Sequence, residues 1–201
     1  MKFIVLSFLM FVSGCFSCAS QNLSVKALAN IDRVGTVSGT AFKVIDAFDR
    51  PRILTAGHLC EAVLVGGAKI NFEYLDGDKW VATGGEYGVL RISQTSDICE
   101  LYVIEPSNNN LKYLELATDW TPMEPISMFG APLGIYPSRV DGYLIRRSVN
   151  VFYASLHALP GSSGSPVLNS SNELVGMLIA GYQNISVLVP YQEIEQFLYE
   201  K

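Results

Sequence analysis

Residues 160–166 read Pro160-Gly161-Ser162-Ser163-Gly164-Ser165-Pro166, a short loop sequence in which two glycines surround a pair of serines. Glycines let the backbone turn tightly enough to aim successive N–H groups at one point beside a serine hydroxyl. Taken alone, a loop of this composition is usually a flexible turn. It gains meaning from a histidine and an aspartate that lie in two other well-defined segments of the chain.

The histidine ends an apolar strand pattern in Ile53-Leu54-Thr55-Ala56-Gly57-His58-Leu59-Cys60. The aspartate opens an apolar strand in Asp97-Ile98-Cys99-Glu100-Leu101-Tyr102-Val103. Taken singly, a histidine is more often structural than catalytic, and an aspartate before a strand is usually a turn former or a cap. Together, a hydroxyl, an imidazole and a carboxylate are the groups that nucleophilic acyl transfer needs.

The rest of the chain has a strand-rich pattern. From about Val34 onward, short runs of β-branched and aromatic residues alternate with Gly, Asp, Asn and Pro. We predict strands over 36–45, 52–54, 68–74, 80–83, 87–92, 98–104, 125–129, 139–147, 151–157, 166–168, 174–180 and 186–189. Only Tyr191–Tyr199 has helical spacing. This pattern predicts an all-β barrel, or a pair of barrels, followed by a C-terminal helix.

Composition limits the possible functions. The 201 residues are enough for one domain with a buried core, and 11% aromatic residues exclude a disordered chain. A net charge of −5 without a run of Lys and Arg argues against a nucleic-acid partner. With two histidines and four cysteines, a metal cluster is hard to assemble, and we expect no metal.

The N-terminus has the layout of an export signal over residues 1–19, a lysine followed by about ten apolar residues. Ten residues of helix span roughly 15 Å, too short for a stable membrane anchor. Val12-Ser13-Gly14-Cys15 resembles the bacterial lipobox, in which the cysteine is acylated and becomes the mature N-terminus. Ordinary secretion with cleavage after Ala19 is the alternative. We expect residues 20–33 to be a tether.

The three chemical segments resemble those of the chymotrypsin-like (trypsin-fold) serine peptidases, closest to the bacterial HtrA-type branch without its PDZ domain. Thr55 to His58 matches T-A-[AG]-H, Asp97 to Val103 matches D-[IL]-A-L-L-x-V, and Gly161 to Pro166 matches G-[DN]-S-G-G-P. Residues 173–181 resemble the strand beside the specificity pocket, and residues 129–134 resemble the G-x-P-x-G segment of the HtrA-type branch. The resemblance extends over about residues 39–198.

This resemblance implies two six-stranded antiparallel β-barrels with a C-terminal helix over residues 34–201. Ser163 would be the nucleophile, His58 the general base and then acid, and Asp97 the orienting carboxylate. The N–H groups of Gly161 and Ser163 would form the oxyanion hole. Four other aspartates lie between His58 and Ser163. We interpret three of them as turn residues, Asp76, Asp78 and Asp141, and the fourth, Asp119, as a loop residue.

Further expectations follow from the resemblance. The specificity pocket would be lined by His157, Ile179, Ala180 and Gly181. Because the triad would bring their segments together, Cys60 and Cys99 are predicted to form a disulfide. Besides Cys99, which stands in place of the family's alanine, two residues of the loop 160–166 depart from the family pattern. Ser162 replaces an acid that pairs with a freed N-terminus in trypsin-type zymogens. Ser165 replaces a glycine, which could alter the loop's backbone freedom.

The predicted function is a cofactor-free serine endopeptidase that acts on protein or peptide substrates. We expect a monomer exported to the bacterial periplasm or cell surface. The residue after Cys15, Phe16, favours the outer membrane, with membrane contact only through the lipid. Two alternatives stay open, a catalytically silent binding or adhesion protein on the same fold and an esterase that uses the same nucleophile.

Overall fold

The first barrel occupies the N-terminal half of the protein. In the computed structural model, which describes residues 23–31, 35–76, 79–105, 111–136 and 138–200, its six strands lie in the order β1-β4-β5-β6-β3-β2. Antiparallel pairing of β1 with β2 closes the barrel, and a short β7 joins β2 in parallel. The strands are β1 (Val25–Ile31), β2 (Gly35–Ile45), β3 (Pro51–Ala56), β4 (Ile70–Asp76), β5 (Lys79–Ile92), β6 (Ile98–Val103) and β7 (Tyr113–Leu114).

The second barrel is a closed sheet in the order β10-β13-β12-β11-β8-β9. Its strands are β8 (Pro125–Gly130), β9 (Ser138–Ser148), β10 (Val151–Ala154), β11 (Pro166–Asn169), β12 (Leu174–Tyr182) and β13 (Ile185–Pro190). Two α-helices accompany the barrels, α1 (Gly57–Gly66) and α2 (Tyr191–Tyr199), with one 3-10 turn at Pro132–Gly134. The prediction of two six-stranded barrels with a C-terminal helix is therefore confirmed.

The tether predicted over residues 20–33 is wrong for its second half. Val25–Ile31 is strand β1, and it pairs with β2 on one side and with β4 on the other. Val25, Ala27, Ala29 and Ile31 alternate into the barrel interior. The segment therefore completes the barrel, because without it β2 and β4 would have unpaired edges.

Helix α1 begins directly after β3, where the sequence analysis placed only the end of a strand. Leu59, Cys60 and Val63 form its buried face, at helical spacing. Gly67 ends the helix in the left-handed conformation, with φ of 62°, and its N–H bonds to the carbonyl of Leu64. A glycine at this position is a common helix stop, because it has no Cβ to oppose positive φ.

Three smaller predictions also differ from the structure. The runs 80–83 and 87–92 belong to one strand, β5. The strand predicted over 151–157 ends at Ala154. Asp141, interpreted as a turn residue, lies within β9, where its carboxylate accepts hydrogen bonds from Ser127 and Arg139. Gly142, which suggested the turn, lies inside the strand. Glycine is needed at this position because a Cβ would meet the Ser155 carbonyl oxygen at 2.4 Å.

A core between the barrels joins them into one body. Phe42, Leu54 and Ile98 of the first barrel pack against buried residues of the second barrel and of α2, Leu168, Leu174, Met177, Val189, Ile194 and Phe197. Separate apolar clusters fill the two barrel interiors. The contact brings the β3–α1 junction and the start of β6 close to the second barrel, which is where the site lies.

Buried ionic groups support the same junction. Glu100, only 2% exposed, accepts hydrogen bonds from Arg52 and Arg91. Arg91 also lies over the ring of Phe197 in α2, 4.2 Å from its centroid, and donates to the carbonyl of Glu200. The guanidinium of Arg91 thus links the first barrel to the C-terminal helix.

Among the described residues, no helix has the length and apolar character needed to cross a membrane.

Candidate active site

His58 and Asp97 form a close pair on the first barrel. Nδ1 of His58 lies 2.6 Å from Oδ2 of Asp97, and the backbone N–H of His58 donates to the other carboxylate oxygen at 2.7 Å. Gly57 makes this second bond possible, because a Cβ there would lie 2.8 Å from Oδ1 of Asp97. The carboxylate therefore holds the imidazole by both its ring and its backbone.

The pair is electrostatically coupled. The hydrogen bond to Asp97 raises the pKa of His58, an effect that partial burial opposes and the charges of Asp97 and Glu61 support. Burial raises the pKa of Asp97, but the hydrogen bonds from His58 outweigh burial and the net pKa is lowered. With Asp97 ionised, the Nδ1 proton is fixed on the carboxylate side. Nε2 of neutral His58 is then available to accept a proton.

A disulfide fixes the two segments that carry this pair. Cys60 is in α1, two residues beyond His58, and Cys99 is in β6, two residues beyond Asp97. The two cysteines are bonded across 39 positions of sequence, and both are fully buried. The predicted disulfide is confirmed. It limits how far the helix that carries the imidazole can move from the strand that carries the carboxylate.

Residues 160–166 form the loop that carries Ser163, called here the serine loop. This loop of the second barrel packs against the first barrel. The N–H of Thr40 in β2 donates to the carbonyl of Ser163 at 2.8 Å. Gly164, with φ of +84°, lies so close to β2 and β3 that a Cβ would be 2.1 Å from the carbonyl oxygen of Thr40 in β2 and 2.6 Å from Oγ1 of Thr55 in β3. The loop therefore contacts the strand that leads into His58, and only glycine fits at position 164.

The hydroxyl of Ser163 faces β12. It donates to the carbonyl of Ile179 at a long distance of 3.5 Å. Among the described residues, no hydrogen bond joins Ser163 to His58, although the base role expected for His58 requires it to reach this hydroxyl. A weak bond to a carbonyl is easily exchanged for one to the imidazole, and such bonds commonly tighten only when substrate binds.

The backbone N–H groups of Gly161 and Ser163 lie beside the hydroxyl. Neither has an acceptor within the part of the chain that the structure describes. The carbonyl of Pro160 accepts from the N–H of Leu133 at 2.6 Å. Because N–H and C=O point in opposite directions across a trans peptide, the N–H of Gly161 points away from Leu133. Gly161 has φ of +92°. Two unpaired donors next to a hydroxyl can stabilise a negative oxygen.

The two departures from the family pattern are accommodated locally. Ser162 is fully buried, and its hydroxyl accepts the N–H of Leu159 at 3.3 Å, so the loop is tied to its own backbone where a zymogen would have an acid. Ser165 is not in the left-handed region; among the loop residues only the two glycines have positive φ. Its side chain occupies space left by Gly130, whose Cβ would lie 2.0 Å from Oγ of Ser165.

The four residues predicted for the specificity pocket fall on two neighbouring segments of the second barrel. Ile179, Ala180 and Gly181 belong to β12, and His157 lies on the segment between β10 and the serine loop. A Cβ at Gly181 would be 2.5 Å from Cβ of Ala158, so the segments approach closely at this point. His157 is exposed. The sequence analysis did not single out Ala158, the residue that faces Gly181.

Three further sequence predictions concern a metal site, the export signal and the remaining aspartates. The described residues hold no group of three or more His, Cys, Asp or Glu side chains that could bind a metal ion. The export signal over 1–19, including the lipidation candidate Cys15, lies outside the described residues. Of the other aspartates, Asp119 binds the N–H of the adjacent Trp120 in a loop, and Asp76 ends β4 opposite Lys79 of β5.

Comparison with known proteins assigns the chain. The family model of the trypsin-like peptidase domain matches residues 38–177. The chain belongs to the trypsin-like peptidase family. The recognition of a chymotrypsin-like serine peptidase from sequence is thus confirmed, and the peptidase is a serine protease by its family.

Two solved structures share the fold of this peptidase. Deg5 is 14% identical, with a TM-score of 0.69 over 88% of this chain and 87% of Deg5. The active form of the Rv3671c protease from M. tuberculosis is 17% identical, with a TM-score of 0.70 over 89% of this chain and 80% of that protein. At this level of identity, the similarity establishes the two-barrel architecture.

Proposed function

We propose that this peptidase is an endopeptidase that cleaves protein or peptide substrates through Ser163, His58 and Asp97. Ser163 attacks the scissile carbonyl carbon, and Nε2 of His58 accepts the hydroxyl proton. The tetrahedral oxyanion receives hydrogen bonds from the N–H groups of Gly161 and Ser163. His58 then gives its proton to the leaving amine, and water hydrolyses the acyl-enzyme by the same two proton transfers.

The observation that carries this proposal is the double contact between Asp97 and His58. A contact of 2.6 Å to Nδ1, together with 2.7 Å from the same residue's backbone N–H, fixes the tautomer and the orientation that a general base needs. The imidazole is half exposed, and within the described part of the chain its Nε2 has no hydrogen-bond partner, so this nitrogen is available to the serine proton. The raised pKa of His58 also suits a group that must hold a proton in the transition state.

An activity-based probe tests the nucleophile. A fluorophosphonate should label the folded wild-type protein covalently and should not label Ser163→Ala, because phosphonylation needs an activated serine hydroxyl. Ser162→Ala is the matched control, since this neighbouring serine is fully buried and should not be the labelled residue. Labelling should therefore persist in Ser162→Ala and map to the peptide containing Ser163. Folded wild type that takes up no probe would contradict the proposal.

The same probe addresses the alternatives. A catalytically silent binding protein on this fold would remain unlabelled. An esterase would be labelled but would hydrolyse ester substrates and leave peptides of any sequence intact. Cleavage within a denatured protein substrate, followed by identification of the new termini, distinguishes an endopeptidase from both.

We infer that the peptidase is exported and anchored by a lipid on Cys15. The support is the sequence Val12-Ser13-Gly14-Cys15 after a short apolar segment. A disulfide in the folded domain also fits an oxidising compartment. Two or more acyl chains would hold the protein on a membrane, since each buried methylene contributes about 0.8 kcal/mol. The peptidase would then act as a monomer at the periplasmic or outer face of the cell.

Replacement of Cys15 by serine separates lipid anchoring from plain secretion. In bacterial cells, wild type should incorporate labelled palmitate and sediment with membranes, and Cys15→Ser should do neither. Cys18→Ser is the matched control and should behave as wild type. If the mature protein is soluble and begins at Ser20, cleavage after Ala19 is correct and the lipid proposal is wrong.

A further inference from the structure

The buried hydroxyl of Thr40 connects three segments around the serine loop. Thr40 is in β2 of the first barrel and is fully buried. Its Oγ1 donates to the carbonyl of Gly161 at 3.1 Å and accepts the N–H of Ala131 at 3.2 Å. One hydroxyl therefore binds the serine loop and the segment after β8 at the same time, from the opposite barrel.

The backbone of Thr40 binds the same loop. Its N–H donates to the carbonyl of Ser163 at 2.8 Å, and its own carbonyl accepts the hydroxyl of Thr55 at 2.7 Å. Every hydrogen-bonding group of Thr40 is thus used, and three of these bonds reach the serine loop or the segment that supports it. The bond to Thr55 in β3 keeps β2 fixed beside the strand that leads to His58.

The carbonyls that Thr40 binds belong to Gly161 and Ser163, the same two residues that carry the unpaired N–H groups. Gly161 contributes its N–H to the peptide with Pro160 and its carbonyl to the peptide with Ser162. The first peptide is held by Leu133, whose N–H binds the carbonyl of Pro160. The second is held on its carbonyl side by Thr40 and on its N–H side by the carbonyl of Leu159, at 2.9 Å. Rotation of the first peptide would turn the N–H of Gly161 away from the hydroxyl of Ser163, and a shift of the second peptide would displace the Cα of Gly161 that the two peptides share.

We propose that Thr40 is a positioning residue for the oxyanion hole, whose hydroxyl anchors the Gly161 carbonyl and the Ala131 segment and thereby holds Gly161 where its N–H meets the developing oxyanion. The inference rests on the proposed endopeptidase function. Thr40 itself contacts no substrate. Its effect passes through Gly161 and Ala131, which approach each other so closely that a Cβ on Gly161 would lie 2.5 Å from the carbonyl oxygen of Ala131.

Valine replaces threonine with nearly the same shape but has no hydroxyl. In Thr40→Val the carbonyl of Gly161 and the N–H of Ala131 lose their partner, so that Gly161 and the segment that holds the Pro160 carbonyl can shift. Complete removal of an oxyanion donor lowers kcat by about 10²–10³. Misplacement of one donor should cost less, and we expect kcat to fall by roughly 10- to 100-fold while KM changes by less than about threefold.

Thr40→Ser keeps the hydroxyl and should retain kcat within about threefold of wild type. Inhibition by a peptide aldehyde is a measurement specific to the oxyanion hole, because the aldehyde forms a tetrahedral adduct whose oxygen occupies the oxyanion position. Its inhibition constant should rise in Thr40→Val by about the factor by which kcat falls. A purely structural role would change the melting temperature without this parallel loss.

The outcomes are separable. If Thr40→Val is folded and both kcat and aldehyde affinity equal those of wild type, Thr40 does not position the hole. If Thr40→Val does not fold, Thr40→Cys replaces it, because a thiol is a weak donor, and kcat should then lie below that of Thr40→Ser. Equal values for cysteine and serine would overturn the inference. Failure of wild type itself to react with a fluorophosphonate would instead remove the proposed function.

Discussion

Replacement of His58 by alanine should lower kcat for peptide hydrolysis by about 10⁶-fold and leave KM nearly unchanged. Without the imidazole, the hydroxyl of Ser163 has no base to take its proton, and a neutral serine is a poor nucleophile. Because His58 is half exposed and its backbone N–H still reaches Asp97, the variant should fold normally. Steady-state kinetics with a fluorogenic peptide measures the loss.

The double variant His58→Ala with Ser163→Ala should be no slower than either single variant. Residues that act as one catalytic unit are strongly non-additive, so removal of the second member costs little once the first is absent. Multiplicative losses would mean that the two residues act in different steps. An unfolded variant is recognised by its circular dichroism. A folded His58→Ala enzyme that keeps more than about 1% of wild-type kcat would contradict the role of His58.

The second large effect is expected for Asp97→Asn, with a loss of about 10⁴-fold in kcat at neutral pH. The amide removes the negative charge that stabilises the protonated imidazole. It can also donate to Nδ1, which would place the imidazole proton on Nε2, where it cannot accept the serine proton. Asp141→Asn is the matched control, because Asp141 is a carboxylate bound to Ser127 and Arg139 on the surface of β9.

The pH dependence of kcat/KM gives an independent reading of the same pair. The active form has neutral His58, so activity rises as pH increases through the pKa of this residue. The hydrogen bond to Asp97 raises that pKa, and the acid limb of the wild-type profile should therefore be centred above the ordinary value of about 6.5. In Asp97→Asn the limb should move to lower pH. An unchanged midpoint would show that Asp97 does not control His58.

Much of the architecture was predictable because local residue patterns specify it. Strands such as Gly35–Ile45 and Leu174–Tyr182 have runs of β-branched and aromatic residues bounded by turn formers, and α2 was predicted with its correct bounds. Strand β1 was missed because small alanines supply half of its inward positions and give a weak apolar signal. Its assignment as a strand depends on partners in β2 and β4 that local sequence does not reveal.

The site was predictable to the extent that short motifs carry it. The Asp97–His58 contact and the Cys60–Cys99 disulfide follow from segments whose family pattern places them together. The role we propose for Thr40 had no such signal, since its hydroxyl binds Gly161 across 121 positions of sequence. Helix α1 was hidden for a different reason, because the apolar run of β3 continues into it and only the spacing of Leu59, Cys60 and Val63 reveals the change.

The disulfide between Cys60 and Cys99 also makes the stability of the fold depend on the redox state of the surrounding compartment. Thiols in a reducing cytosol remain unpaired, so a newly made chain there lacks a link that typically contributes about 2–4 kcal/mol to stability. In that state the helix bearing His58 is free to separate from the strand bearing Asp97. If the chain is exported as we propose, the link would form only after it has left the cytosol, and full proteolytic competence would be reached away from the proteins of the cell that makes it.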